Sequence, residues 1–216
     1  DDNDDIVCLF LDVDPYSSVY NVSFNPADGT RASVKYLYES GHREMAILAG
    51  PVSSVSANLR LRSWLDTLNS YGLKPVTVLH GNWDAQSGYA CALQMLRETP
   101  DFSAVLVGND QMALGVLSAF HQHQVAIPGE KSVIGYDDTY ESSFFYPALT
   151  TVSLDLDLQG KEAVRRILES DDNASSRTSS ILPARLVVRH STGAKVEQGK
   201  DMQAIAEQLR AIAHQL

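Results

Sequence analysis

The chain has 216 residues, 44% of them apolar, which is material for a real core in one large domain or two small ones. Seventeen Lys and Arg against 27 Asp and Glu leave a net charge of −10, so the chain's own surface repels nucleic acid phosphates. No run approaches the ~18 apolar residues of a membrane span, and two cysteines make no disulfide framework.

After an acidic start, Asp1 to Asp5, unlike a secretory signal, Val7 to Leu11 reads as a buried strand. Cys8 within it, and Cys91 in a later helix, read as small buried hydrophobes. Asn25-Pro26 opens a helix that stops at Ser40-Gly41. Met45 to Ala49 is a strand, Ser54 to Tyr71 a helix ending at Gly72, and Val76 to Leu79 a strand. Asp84 caps a helix to about Arg97, and Ala104 to Val107 is a strand. Asn109-Asp110 opens a helix to about His123, and Ser132 to Ile134 is a further strand. Leu149 to Ser153 is extended, Asp155 to Glu169 helical, Asp171 to Ser180 a polar loop, and Leu186 to Val188 a last strand. His121 and His123, two apart on one helix, face different ways and make a poor metal pair.

Alternating strands and helices with short connections predict an α/β fold with an open parallel sheet, whose ligands sit beyond the carboxyl ends of the strands. Asp12, Asn109, Asp137 and Asp138 fall at those ends, with Trp83 just after a strand. Each also has a plain structural reading: Asn109 and Asp110 as helix caps, Asp137-Asp138 as a turn.

Residues 193–200 read as a linker into a last helix, residues 201–216. There Met202, Ile205, Leu209, Ile212 and Leu216 make a heptad seam, with Ala204, Ala206, Ala211 and Ala213 between them. At about 22 Å the helix is too short to stand alone in water. Burying its seam contributes roughly 8–15 kcal/mol as an upper bound. It calls for a partner, on other chains through assembly or on its own domain by folding back.

A set of segments carries a family resemblance: Leu9-Phe10-Leu11-Asp12-Val13, Asp28-Gly29-Thr30-Arg31, Gly41-His42, Ala46 to Pro51, Ser53 to Ala57 and Leu59-Arg60-Leu61-Arg62. It continues through Trp83, Ser87-Gly88, Asn109 to Gly115, Gly135 to Thr139 and Leu149-Thr150-Thr151. Together these resemble the effector-binding core of the lac repressor family, and the heptad tail is similar to the tetramerisation helix that some members carry. The resemblance implies a periplasmic-binding-protein-like pair of parallel-sheet subdomains joined by three crossovers, here near Phe24, Leu154 and Pro183 to Arg185. Residues 1–24 and 155–184 would form a first, incomplete subdomain, and residues 25–154 and 185–192 the second. The DNA-binding headpiece, the hinge helix and about the first third of the core have no counterpart in this sequence. The expectation is that part of a longer protein is omitted, because half a parallel sheet leaves an open edge and bare core.

By the same resemblance, a sugar would be held between the subdomains by Asp12, Phe24, Ser56, Arg60, Trp83, Asn109 and Asp137. The chemistry suits vicinal hydroxyls. Asp12 and Asp137 accept, Asn109 does both, Arg60 offers a rigid fork of donors and Trp83 a flat wall. Two positions depart from the pattern: Leu154 stands where a sugar-bonding glutamine is expected, and Leu156 where an aromatic wall is expected. The implied protein is a cytoplasmic, sugar-responsive repressor, a homodimer or homotetramer that contacts operator DNA through a headpiece outside this chain and needs no cofactor or metal. Phe144, Phe145 and Tyr146 would serve either a dimer interface or local core. A periplasmic sugar-binding protein is the alternative. A glycosidase using Asp12 and Asp137 has no supporting nucleophile elbow, phosphate loop or histidine dyad.

Overall fold

The computed structural model describes residues 7–169 and 179–195. The predicted oligomerisation helix, the rest of its linker and most of the polar loop lie outside these residues.

Four parallel strands form the main sheet: β3 (Met45–Ala49) and β4 (Val78–His80) at one side, β5 (Ala104–Val107) and β6 (Ser132–Ile134) at the other, in the order β4-β3-β5-β6. Val105 pairs with Ala46 and Val133, and Ile47 with Val78, so β3 and β5 are central. All residues of β3 and β5 are buried, as expected of strands covered on both faces. Ala46 and Leu48 point to one face, against α3 (Ala85–Glu98) and α4 (Asp110–Gln122). Met45, Ile47 and Ala49 point to the other, where α1 (Pro26–Glu39) and α2 (Val55–Ser70) bring Val34, Leu37, Trp64 and Leu68. The helices α3 and α4 touch backbone to backbone. A Cβ on Gly88 would lie 2.1 Å from the Met112 carbonyl oxygen, and one on Gly115 1.9 Å from that of Ala85.

Each of these helices starts on the residue its sequence marked. Asn25, Ser54, Asp84 and Asn109 accept backbone N–H bonds from Ala27, Ala57, Ser87 and Met112. Asp155 does the same for α5 (Leu156–Leu168), accepting from Leu158.

A second, three-stranded parallel sheet has the order β1-β2-β8, built from β1 (Phe10–Leu11), β2 (Asn21–Phe24) and β8 (Ser180–Leu182). Val22 and Leu182 meet Ala163 of α5 in a small cluster. Here the expectation of a buried first strand fails. Only Phe10 and Leu11 pair, both are nearly half exposed, and Cys8 is exposed. The cause is position: β1 is an edge strand with one neighbour, and nothing among the described residues covers its outer side. Cys91 is partly rather than fully buried. β7 (Thr151–Leu154) and β9 (Ala184–Val187) pair antiparallel between the two sheets.

At the amino ends of the main strands, His42 is buried between Ser103, Ser132 and the Gly193 carbonyl oxygen, at 3.0–3.1 Å from its ring nitrogens. That oxygen can only accept, which places the neutral ring's proton on Nε2. Lys195 donates its backbone N–H to Ser40 and pairs with Glu44, so the start of the predicted linker is stitched to this pole.

Candidate functional site

All seven predicted site residues lie at or beside the carboxyl ends of strands, and they organise around Arg60. The Ser54 cap starts α2, and Ser56 and Arg60 sit one turn apart on its inner face. Arg60 is almost wholly enclosed. One amine donates to the Gly108 carbonyl oxygen at 2.6 Å, the other lies 3.2 Å from the Asp137 carboxylate, and the guanidinium stacks 3.9 Å over the Tyr136 ring. It also lies 5.7 Å from the centroid of Trp83, within cation–π range.

Trp83 is locked in place from two sides. Its ring lies over Gly50, where a Cβ would come within 2.3 Å of it, and its carbonyl oxygen accepts from the Asn109 side chain at 2.9 Å. Asn109 thus does what its plain reading said, capping α4, and also holds Trp83. Its amide keeps one N–H and one lone pair for another partner.

Asp12 and Phe24 come from the three-stranded sheet and face Ser56 and Arg60 across a cavity that Tyr136 and Leu154 also line. Trp83 and Asp137 meet Arg60 and Asn109 meets Trp83, and none of the three lines this cavity. The space measures about 40 Å³. That is room for a few waters, against the roughly 300 Å³ or more of a small-molecule pocket. A small-molecule ligand needs the two walls further apart than they stand here.

Three of these residues hold unusual backbone. Asp12, Trp83 and Asp137 have φ of 55°, 71° and 110°. None is glycine, and such conformations cost of order 1–3 kcal/mol each, a cost found where structure serves function. Burial pushes the Asp137 carboxyl up to about 6, against the pull of Arg60 and with help from Asp110 and Asp12. The carboxyl therefore titrates close to neutrality. The phenol of Tyr136, also buried, is pushed up to about 12 and stays neutral.

One residue at the site does more than the cap its sequence suggests. Asp110 is fully buried and accepts from the Thr151 hydroxyl at 2.5 Å and the Thr139 backbone N–H at 2.8 Å. It ties α4 to the turn carrying Asp137 and to β7, and burial raises its carboxyl above the usual range. Arg189 completes that turn by pairing with Asp138 at 2.6 Å. The sequence signal was a doubled polar pair after a strand, where one residue suffices as a cap. Of the three aromatics, Phe145 packs on the core, while Phe144 and Tyr146 are exposed.

Comparison with known proteins agrees with this fold. Residues 34–192 match the family described as periplasmic binding protein-like domain. The lactose operon repressor of Klebsiella pneumoniae is 46% identical over 215 residues, covering 100% of this chain and 60% of the relative. That of Escherichia coli strain K12 is 39% identical, covering 98% and 59%. The chain thus spans about 60% of the length of these curated relatives. A solved lac repressor dimer, bound to operator and the anti-inducer ONPF, superposes with a TM-score of 0.82 at 41% identity, covering 86% of this chain and 65% of that one. The chain belongs to the periplasmic binding protein-like family and, within it, to the lac repressor type.

Proposed function

We propose that this chain is the effector-binding core of a sugar-responsive transcriptional repressor. The observation that carries the reading is the Arg60 cluster: a fixed fork of donors, flanked by Asp137 and Trp83 and facing Asp12 across a closable cavity. It brings acceptors, donors and a flat apolar surface together beside one cavity, the chemistry a carbohydrate's hydroxyls and ring face call for, and it needs no covalent chemistry. Binding parts and then re-closes the two walls. A coupling of roughly 1–3 kcal/mol to a DNA-binding headpiece would change operator occupancy several-fold or more. Leu154 lines the cavity and offers no hydrogen bond, so the preferred sugar is expected to differ from that of a site with glutamine there.

Calorimetric titration with galactosides, glucosides and free hexoses tests the reading. Saturable binding that is lost in Arg60→Ala supports it, and the absence of binding by every sugar sinks it. The same proposal gives the Met202–Leu216 helix the role of joining dimers into tetramers, as a cytoplasmic regulator rather than a monomeric periplasmic binder. Sedimentation of a Leu209→Ala, Ile212→Ala double variant should find dimers that still bind sugar. Tetramers in that variant would remove the helix as the assembly element.

A further inference from the structure

Among the described residues, three buried side-chain atoms have no hydrogen-bond partner: Asn21 Oδ1, Ser23 Oγ and Trp64 Nε1. Only Ser23 lines the cavity shared by Asp12 and Arg60. It sits on β2 at 2% exposure, among residues where valine or alanine would cost nothing in bonding. Buried hydroxyls are nearly always paired, so an unpaired one on a cavity wall points to a partner supplied from the cavity.

Gln159 lines the same cavity from the first turn of α5 and is 8% exposed. Its Nε2 donates to the Val22 carbonyl oxygen at 2.9 Å, next to Ser23 in the chain. That bond fixes the amide and leaves a carbonyl oxygen and a second N–H for another partner. Leu154 meanwhile makes its own part of the wall apolar.

We propose that Ser23 and Gln159 form a second hydrogen-bonding subsite, at the three-stranded-sheet side of the cleft, which selects a carbohydrate bearing a hydroxyl at that end. The inference rests on the sugar-binding reading above and specifies its ligand. The Arg60 cluster takes the vicinal hydroxyls of the ring, and the Ser23–Gln159 subsite takes a further one. A free or polyol-substituted sugar is favoured over a glycoside whose alkyl group would occupy this end.

The test is calorimetric titration of wild type, Ser23→Ala, Gln159→Leu and Arg60→Ala with the tightest-binding common hexose, its monodeoxy analogues and its isopropyl glycoside. In wild type, removal of one particular hydroxyl is expected to weaken binding about three- to tenfold, the size of one neutral hydrogen bond. The same removal should cost nothing in Ser23→Ala or Gln159→Leu. Ser23→Ala should also keep or raise the unfolding temperature while losing affinity, because its hydroxyl bonds no other group among the described residues. Unchanged deoxy-sugar profiles in both variants, with binding still abolished by Arg60→Ala, would overturn the subsite and leave the sugar site standing. Failure of wild type to bind any sugar would overturn both.

Discussion

The two parallel sheets of this molecule are built from similar strands and end up in opposite conditions. In β3 and β5 every residue is buried, with α1 and α2 on one face and α3 and α4 on the other. Among the described residues a single helix packs on β1-β2-β8, on one face. Phe10, Leu11 and Ile181 are over two-fifths exposed, as are Leu156, Val164 and Leu168 on the outer side of α5. The difference follows from how much of each sheet's cover lies among the described residues. The cleft lies between the two, with Arg60 and its contacts on one wall and Asp12 on the other.

The contrast is sharpest in the cores. Phe120, wholly buried between α3, α4 and the main sheet, should cost about 3–5 kcal/mol on change to Ala. Leu168→Ser, on the exposed side of α5, should stay within about 0.5 kcal/mol. Denaturant unfolding measures both, and similar losses would refute the claim that the sheets differ in support.

A smaller effect is expected at the amino pole. His42→Ala leaves Ser103, Ser132 and the Gly193 carbonyl short of a partner and should cost about 1–3 kcal/mol. Burial holds the imidazole below its usual value. A depressed folded pKa means stability that is present above the ordinary histidine range and lost as pH falls through the lowered value. Wild type should thus lose stability on acidification in a step that His42→Ala lacks, read as unfolding temperature against pH.

The smallest effect belongs to the cleft itself. Asp137 is raised, so ionisation is disfavoured in the folded chain, and its stabilising contribution is present at low pH and fades as pH rises through about 6. Sugar affinity runs the other way, because the carboxylate is the better acceptor: affinity should fall modestly as pH drops from 7 to 5. Asp137→Asn should bind more weakly and show no such slope. A slope that survives the substitution would assign it to another group.

Most of the covered sheet was legible in the sequence, and the reason is local. Asn25, Ser54, Asp84 and Asn109 mark helix starts in a few residues, and runs such as Met45 to Ala49 can only be strands buried on both faces. β2 and β8 were not legible as strands. Asn-Val-Ser-Phe and Ser-Ile-Leu are short and mixed, and what makes them strands is pairing with each other across more than 150 residues of chain. Cys8 and Leu11 misled for the same reason, since an apolar strand reads as buried whatever covers it. At the site, Asp12, Asn109, Asp137 and Trp83 stand out by their places at strand ends, while Phe24, Ser56 and Arg60 are reached only through a family pattern. The left-handed backbone at Asp12 and Trp83 carries no glycine to announce it, and the keystone role of Asp110 depends on Thr139 and Thr151 arriving from elsewhere.

The buried histidine and the stitched Gly193–Lys195 segment have a consequence for traffic around the molecule. Both lie at the amino ends of the main strands, while the cavity opens at the carboxyl ends. Chain that continues past Lys195 therefore departs from the pole facing away from the cleft. On the reading proposed above, small molecules arrive at one end and neighbouring chains are gathered at the other. The two kinds of partner need never compete for the same door.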